Sequence, residues 1–550
     1  MSACEQKGQE SKTEAEARDI EDDDLESDEL RSAYSYYTDL LDESIKLPNV
    51  IQLMVIFFIA NMMFIYYTQK IDQDNGESDP MWPFIYGGLA VITALVEVIM
   101  LCIISYRNYK AKVNGAEDEE EKKAISKPQL PEFSLIYSIF VPLTVTLMYF
   151  PSKMPVIIAC IVQVPYMNPI VRILVSYVAM YQIGSGPYTI TFYEMLSTPI
   201  VFASSYTLLE HFIASSLSVT ERSMFSYLVV ALLVFADEST CDISLVIFQK
   251  LVLAFGISLA LTSCLVGFYK SRQQGTLLKK VTLLLIYVVF IGSGFTLSYR
   301  FLKPILGKAP WFWIAEYIAQ DAVKSTIFKA WITSSVVLVP SILYLAKKIP
   351  FGFRRKIWHF VTLTALGYPI TVEPQLTSLA LVGLFCIFAI VELIRANNLP
   401  PFGGFIRKIL IPFQDRKDTE GAYVLSYLFL VLGVALPLWL SNCTGTQGSV
   451  IGLVVLGLGD SFASLIGKSM GQLYWPEASK TIEGSFFFFF FTAFALYTYQ
   501  NVGENSYDNY SLLLTPVITA ILEGNMSMND NVVVPVIGLI CLDLIQQVRY

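Results

Sequence analysis

Residues 449–471 read SVIGLVVLGLGDSFASLIGKSMG. Up to Gly459 every side chain is apolar or small, and polar and apolar positions do not alternate. A bilayer core is about 30 Å thick, so a helix needs about 20 mainly apolar residues to cross it. This stretch meets that length with one carboxylate, Asp460, set inside it. Runs of the same kind recur near 50–68, 83–105, 243–268, 281–302, 375–394, 421–440 and 531–548, with shorter or Pro-broken ones between them. The runs are continuous, which argues against a membrane β-barrel, whose strands alternate. The expected fold is all-α and polytopic, with roughly 13–16 transmembrane helices.

Composition agrees. Hydrophobic residues make up 54% and charged residues 15% of the 550, and the mean hydropathy is +0.54. That is too little charge to cover a soluble surface. Much of the net charge of −9 sits before Asn49, in Glu21–Asp24 and Asp28-Glu29, and a second acidic run covers Glu117–Glu121. Such blocks read as solvated segments. No basic stripe suggests nucleic acid. The eight cysteines are scattered, mostly in apolar runs, and read as small core residues. With only His211 and His359 in the chain, a His-rich metal site is excluded. The N-terminus is polar and acidic, so the first span is expected to act as the insertion signal.

Three regions are expected: an acidic disordered tail over 1–48, a membrane region over 49–346, and a catalytic membrane region over 347–550. In the last, alternating spans send Lys347, Lys348, Arg354, Arg355, Lys356, Arg395, Arg407, Lys408, Arg416, Lys417 and Lys480 to one side. The loops 371–376, 441–448 and 501–509 on the other side hold no Lys or Arg. Basic loops stay cytosolic, so the first side is read as cytosol. The sequons starting at Asn442 and Asn509 then fall in or beside luminal loops.

Four segments meet on the cytosolic side of that topology. They are Arg355–His359, Phe413–Gly421, Gly459–Ser485, and Glu523 with Asp530-Asn531. Asp460, Ser464, Gly467 and Gly471 recur every three or four residues and share one helix face. The glycines let a ligand or another backbone approach closely. An Asp on an apolar helix is costly unless it meets a cation or partner, and Mg²⁺ carried by nucleotide phosphates would serve. Lys480 supplies a point charge for phosphate, with Gly484 beside it. The same spacing also suits a small-xxx-small helix contact around a structural Asp. Gly467-Lys468-Ser469 is not a P-loop, because Phe462 stands where that motif needs its first Gly.

The pattern Asp460-x-x-Ala463-x-x-x-Gly467-x-x-x-Gly471, followed by Trp475-Pro476 and Lys480-Thr481-x-Glu483-Gly484, resembles the CTP-binding signature of the dolichol kinase family. Arg355-Lys356-x-x-His359 and Glu523…Asp530-Asn531 resemble its flanking signatures. The resemblance covers about 355–535. Family members often carry two lysines before the Thr; here Ser479 takes the first place. The resemblance implies phosphoryl transfer from CTP to dolichol at the endoplasmic reticulum, feeding glycosylation. It implies Mg²⁺ or a similar ion as cofactor. It assigns Asp460 to metal or hydroxyl and Lys480 to the CTP phosphates. Glu483 and Asp530 are further catalytic candidates; Ser464, Gly467, Gly471, Thr481, Glu483 and Gly484 line the nucleotide site with Asp460 and Lys480; and Arg355 and Lys356 hold phosphate. Asp530, Asp415 and Asp418 are candidate metal ligands, and His359 is either a base or structural. Alternatives are a kinase of another isoprenoid alcohol such as phytol, a transporter with a buried Asp site, and a phosphatidate cytidylyltransferase. The last lacks its expected His-Gly-Gly here, since no His follows His359.

Overall fold

In lipid a segment must satisfy its own backbone N–H and C=O groups, so continuous apolar runs fold as helices. A computed structural model shows this along the chain. It describes residues 38, 46–73, 81–115, 133–163, 169–184, 190–213, 215–235, 242–271, 277–414, 421–444, 448–502, 507–526 and 529–548. Nearly all of the expected acidic tail, the acidic run at 117–121, and Asp415 and Asp418 lie outside the described residues.

The first helices are α1 (Leu47–Gln73), α2 (Met81–Asn114), α3 (Leu135–Tyr149), α4 (Met154–Ile161), α5 (Pro169–Gly184), α6 (Phe192–Ile213) and α7 (Val219–Val230). A middle group follows: α8 (Ile243–Ser271), α9 (Leu277–Leu306), α10 (Pro310–Ala319) and α11 (Ala322–Leu345). The last group is α12 (Phe351–Leu366), α13 (Pro374–Ala396), α14 (Phe402–Leu410), α15 (Ser426–Thr444), α16 (Gly448–Met470), α17 (Ile482–Val502), α18 (Asn509–Asn525) and α19 (Asp530–Gln547). Among the described residues there is no strand, only an isolated bridge between Tyr474 and Thr481.

The protein is therefore all-α and polytopic. Among the described residues, nine helices are long and apolar enough to cross a membrane: α1, α8, α9, α11, α13, α15, α16, α17 and α19. The sequence expectation of 13–16 also counted shorter runs, such as α3, α5 and the 17-residue α18.

Burial ranks the spans. The apolar windows of α15, α16 and α19 are 67%, 67% and 72% buried, against 17%, 17% and 6% for α8, α9 and α11. The first three form the centre, and the others turn apolar faces outward, as a lipid environment permits. Glycine brings the central helices together. A Cβ on Gly433 of α15 would strike the Asn531 carbonyl of α19, and one on Gly452 of α16 would strike the Gly433 carbonyl.

The helices α3, α7, α15 and α19 run in one direction. The Ser134 and Thr220 hydroxyls, 3.2 Å apart, tie the starts of α3 and α7. Tyr149 donates to Asp543 Oδ2 at 2.7 Å, joining the ends of α3 and α19. Asn531 lies against Gly433, in the first halves of α19 and α15. At this same end lie the start of α12, the end of α16, the loop before α17 and the end of α18.

Candidate active site

Asp460 closes a stretch of wide π-turns, Val455–Asp460, in the middle of α16. Lys356 on α12 donates to its carboxylate, and His359 Nδ1 lies 3.4 Å from the same oxygen. Nδ1 also lies 3.0 Å from the Leu456 carbonyl. A carbonyl only accepts, so Nδ1 carries the hydrogen. All three side chains are buried.

Lys480 stands in the loop between α16 and α17. Its Nζ donates to Asp530 Oδ2 at 2.8 Å, to Glu523 Oε1 at 2.7 Å and to the Glu523 carbonyl at 2.7 Å. Burial works against the charge on Lys480, but Asp530 and Glu523 outweigh it and hold its pKa well above the ordinary lysine value. Asp460, Glu523 and Asp530 each offer a carboxylate oxygen, and these oxygens lie within 4.8 Å of one another. Three carboxylates from three helices thus meet, with Lys356 and Lys480 interleaved among them.

The loop that carries Lys480 is built by short-range contacts. Ile482 N–H donates to the Leu473 carbonyl at 2.8 Å, and Trp475 N–H to the Lys480 carbonyl at 3.0 Å. Trp475 Nε1 donates to Ser485 Oγ at 2.9 Å. Gly524, the neighbour of Glu523, lets the indole sit against α18, since a Cβ there would come within 2.5 Å of Nε1 and 2.6 Å of Ser485 Oγ. The Glu483 carboxylate accepts from the Gln472 and Leu473 amides, each at 3.0 Å.

The structure thus brings Asp460, Lys480, Asp530 and Lys356 together, with Arg355 half-buried one position before Lys356. Glu483 is not among them: its oxygens accept from the Gln472 and Leu473 amides. Gly467, Gly471 and Gly484 surround Thr481, whose Oγ1 accepts from Gly484 N–H at 3.2 Å. Their smallness lets α16 and α17 approach closely there. Ser464 lies one turn beyond Asp460 and is half-buried. Two features escaped the sequence reading. Glu523 is named there among the converging segments but is given no role, although a carboxylate in the last turn of an apolar helix is itself a signal. The pairing of Asp460 with Lys356 has no sequence signal, because it spans 104 positions.

Fold and cluster together define a polytopic membrane protein that gathers carboxylates and lysines at one end of its helix bundle. Residues 5–237 match the family model described as the dolichol kinase N-terminal domain. The dolichol kinase of Saccharomyces cerevisiae is 29% identical over 432 residues, which is 76% of this chain and 78% of that protein. The dolichol kinase of Schizosaccharomyces pombe is 30% identical over 305 residues, 52% of this chain and 56% of its own. The human dolichol kinase is 26% identical over 263 residues, 44% and 49% of the two chains. No solved structure matches. The chain is thus similar to the dolichol kinases, in its N-terminal part and over most of the length of the Saccharomyces cerevisiae protein.

Proposed function

We propose that the chain transfers the γ-phosphoryl group of CTP to the hydroxyl of dolichol, at the cytosolic face of the endoplasmic reticulum, giving dolichyl phosphate for protein glycosylation. The convergence of Asp460, Glu523 and Asp530 with Lys480 carries the reading. The dolichol kinase relatives supply the acceptor, and the signature from Asp460 to Gly484 supplies the donor.

Phosphoryl transfer is mostly positioning and charge stabilisation. Lys480 is assigned to the CTP phosphates and exchanges part of its carboxylate contact for phosphate oxygens. Asp460, oriented by Lys356 and His359, and Asp530 lie where the acceptor hydroxyl can be held. The hydroxyl oxygen forms the new bond to phosphorus, the bridge to the β-phosphate breaks, CDP leaves, and a carboxylate takes the hydroxyl proton. The three carboxylates also fit Mg²⁺, since each presents an oxygen within 4.8 Å of the others and the ion favours carboxylates plus phosphate oxygens. When bound, it neutralises phosphate charge. In this reading 1–48 is a tail, 49–346 a membrane region and 347–550 the catalytic region.

The test is transfer of label from γ-labelled CTP or ATP to dolichol by the purified protein, with and without EDTA. Labelled lipid should form from CTP alone and vanish on chelation. Equal labelling from ATP overturns the donor assignment, and labelling that survives EDTA overturns the metal.

A further inference from the structure

An apolar cleft of about 160 Å³ lies between α3 and α7 on one side and α15 and α19 on the other. It therefore separates the N-terminal helices from the central ones. Its walls are almost wholly hydrocarbon, as at Phe429 and Val532. Among the described lining residues, charged or amide side chains occur only at Glu221 and Asn529, near the starts of α7 and α19. Because the four helices run in one direction, these two mark one end of the cleft. Leu440, Ala231 and Val536 mark the other. From Phe429 to Leu440 the axis of α15 rises about 16 Å, at about 1.5 Å per residue. Asn529 directly precedes Asp530, so the polar end adjoins the carboxylate and lysine cluster.

We propose that this cleft holds the isoprenyl units nearest the hydroxyl of the polyprenol substrate, with the hydroxyl passing Asn529 to reach Asp460 and Asp530. The inference rests on the reading of the chain as a polyprenol kinase. Three observations favour this occupant. The wall is hydrocarbon along its length, and burying an isoprenyl chain there is favourable by the area it removes from water. The polar end suits an uncharged hydroxyl. No Lys or Arg occurs among the described lining residues to pair with a phosphate, and Glu221 is itself an anion, which favours an alcohol over an anionic phospholipid. The N-terminal helices thereby become one wall of the lipid site rather than an accessory.

Two variants fill the cleft away from the cluster: Ala231→Trp at its far end and Leu436→Trp at mid-depth. Both positions are half-buried. In the full-length purified protein the apparent KM for dolichol should rise by about tenfold or more, while the KM for CTP stays within about twofold, a split that general loss of packing does not produce. An unchanged KM for dolichol in well-folded variants overturns the proposal. If neither variant folds, a polyprenol bearing a diazirine on the unit next to its hydroxyl is photolysed with the wild-type protein. Adducts should map to α3, α7, α15 or α19 and be competed by dolichol but not by phosphatidylcholine. Adducts elsewhere, or equal competition by phosphatidylcholine, overturn it. Failure of the wild-type protein to phosphorylate any polyprenol is a different result: it sinks the kinase reading, while the adduct map still reports on the cleft.

Discussion

Lys356 and Asp460 form a buried ion pair, and buried pairs behave differently when one member or both are removed. Lys356→Met alone leaves an uncompensated carboxylate and should destabilise the protein by about 3–5 kcal/mol. The double variant Lys356→Met, Asp460→Asn should recover most of that loss of thermal stability without recovering activity. A melting-temperature cycle in detergent checks this, and additive losses would deny the coupling. Lys480→Ala should raise the KM for CTP and also lower kcat, because the assigned phosphates are charged before and during transfer. Steady-state kinetics at varied CTP reads both parameters; a normal KM would remove Lys480 from the nucleotide site. At this scale the sequence was informative about Asp460 and Lys480, which stand out against apolar or motif-like surroundings. It carried no sign that the Glu483 carboxylate accepts from the amides of Gln472 and Leu473.

The loop between α16 and α17 transmits small changes to Lys480. A methyl group added by Gly524→Ala displaces Trp475 or Ser485, and with them the strand of loop that ends at Lys480. This variant should lose activity by about tenfold or more although it removes no polar group, on the scale that a displacement of about 1 Å costs a positioned site. Activity at equal expression is the measurement, and wild-type rates would show that the indole is free to move. A second contact reaches the cluster from far away in sequence. Gln52 on α1 donates to the Asn525 carbonyl at 2.8 Å, two residues past Glu523. Gln52→Ala should cost about 1 kcal/mol of stability, the usual net worth of such a bond, seen as a lower melting temperature. Periodicity and length made the helices legible; the loop's hairpin form was not, because it depends on Trp475, Ser485 and Gly524 meeting across three elements.

Across the last region, the described basic residues Arg355 and Lys356 at the start of α12 and Lys480 before α17 gather at the end that holds the cluster. Val372 and Ser479, both exposed, belong to loops on opposite sides of the alternating topology. On a cysteine-free background, Ser479→Cys should react with an impermeant thiol reagent in sealed, right-side-out microsomes, and Val372→Cys should not. The reverse pattern would invert the orientation. Deleting 2–30 should leave specific activity within about twofold, since unanchored termini are commonly dispensable. What the sequence did not reveal at this scale is how the N-terminal helices meet the central ones, because the faces involved are apolar on all sides and carry no periodic mark. The central claim is that the Asp460, Glu523, Asp530 and Lys480 cluster performs the transfer. Single-turnover transfer from γ-labelled CTP to dolichol, compared between wild type and a well-inserted Asp460→Asn variant, tests it most directly. The account predicts a rate lower by about 10²–10³ in the variant, the usual loss when preorganised charge at a transferring group is removed. A wild-type rate in Asp460→Asn would contradict it, leaving Asp460 as a helix-packing residue and the chemistry elsewhere.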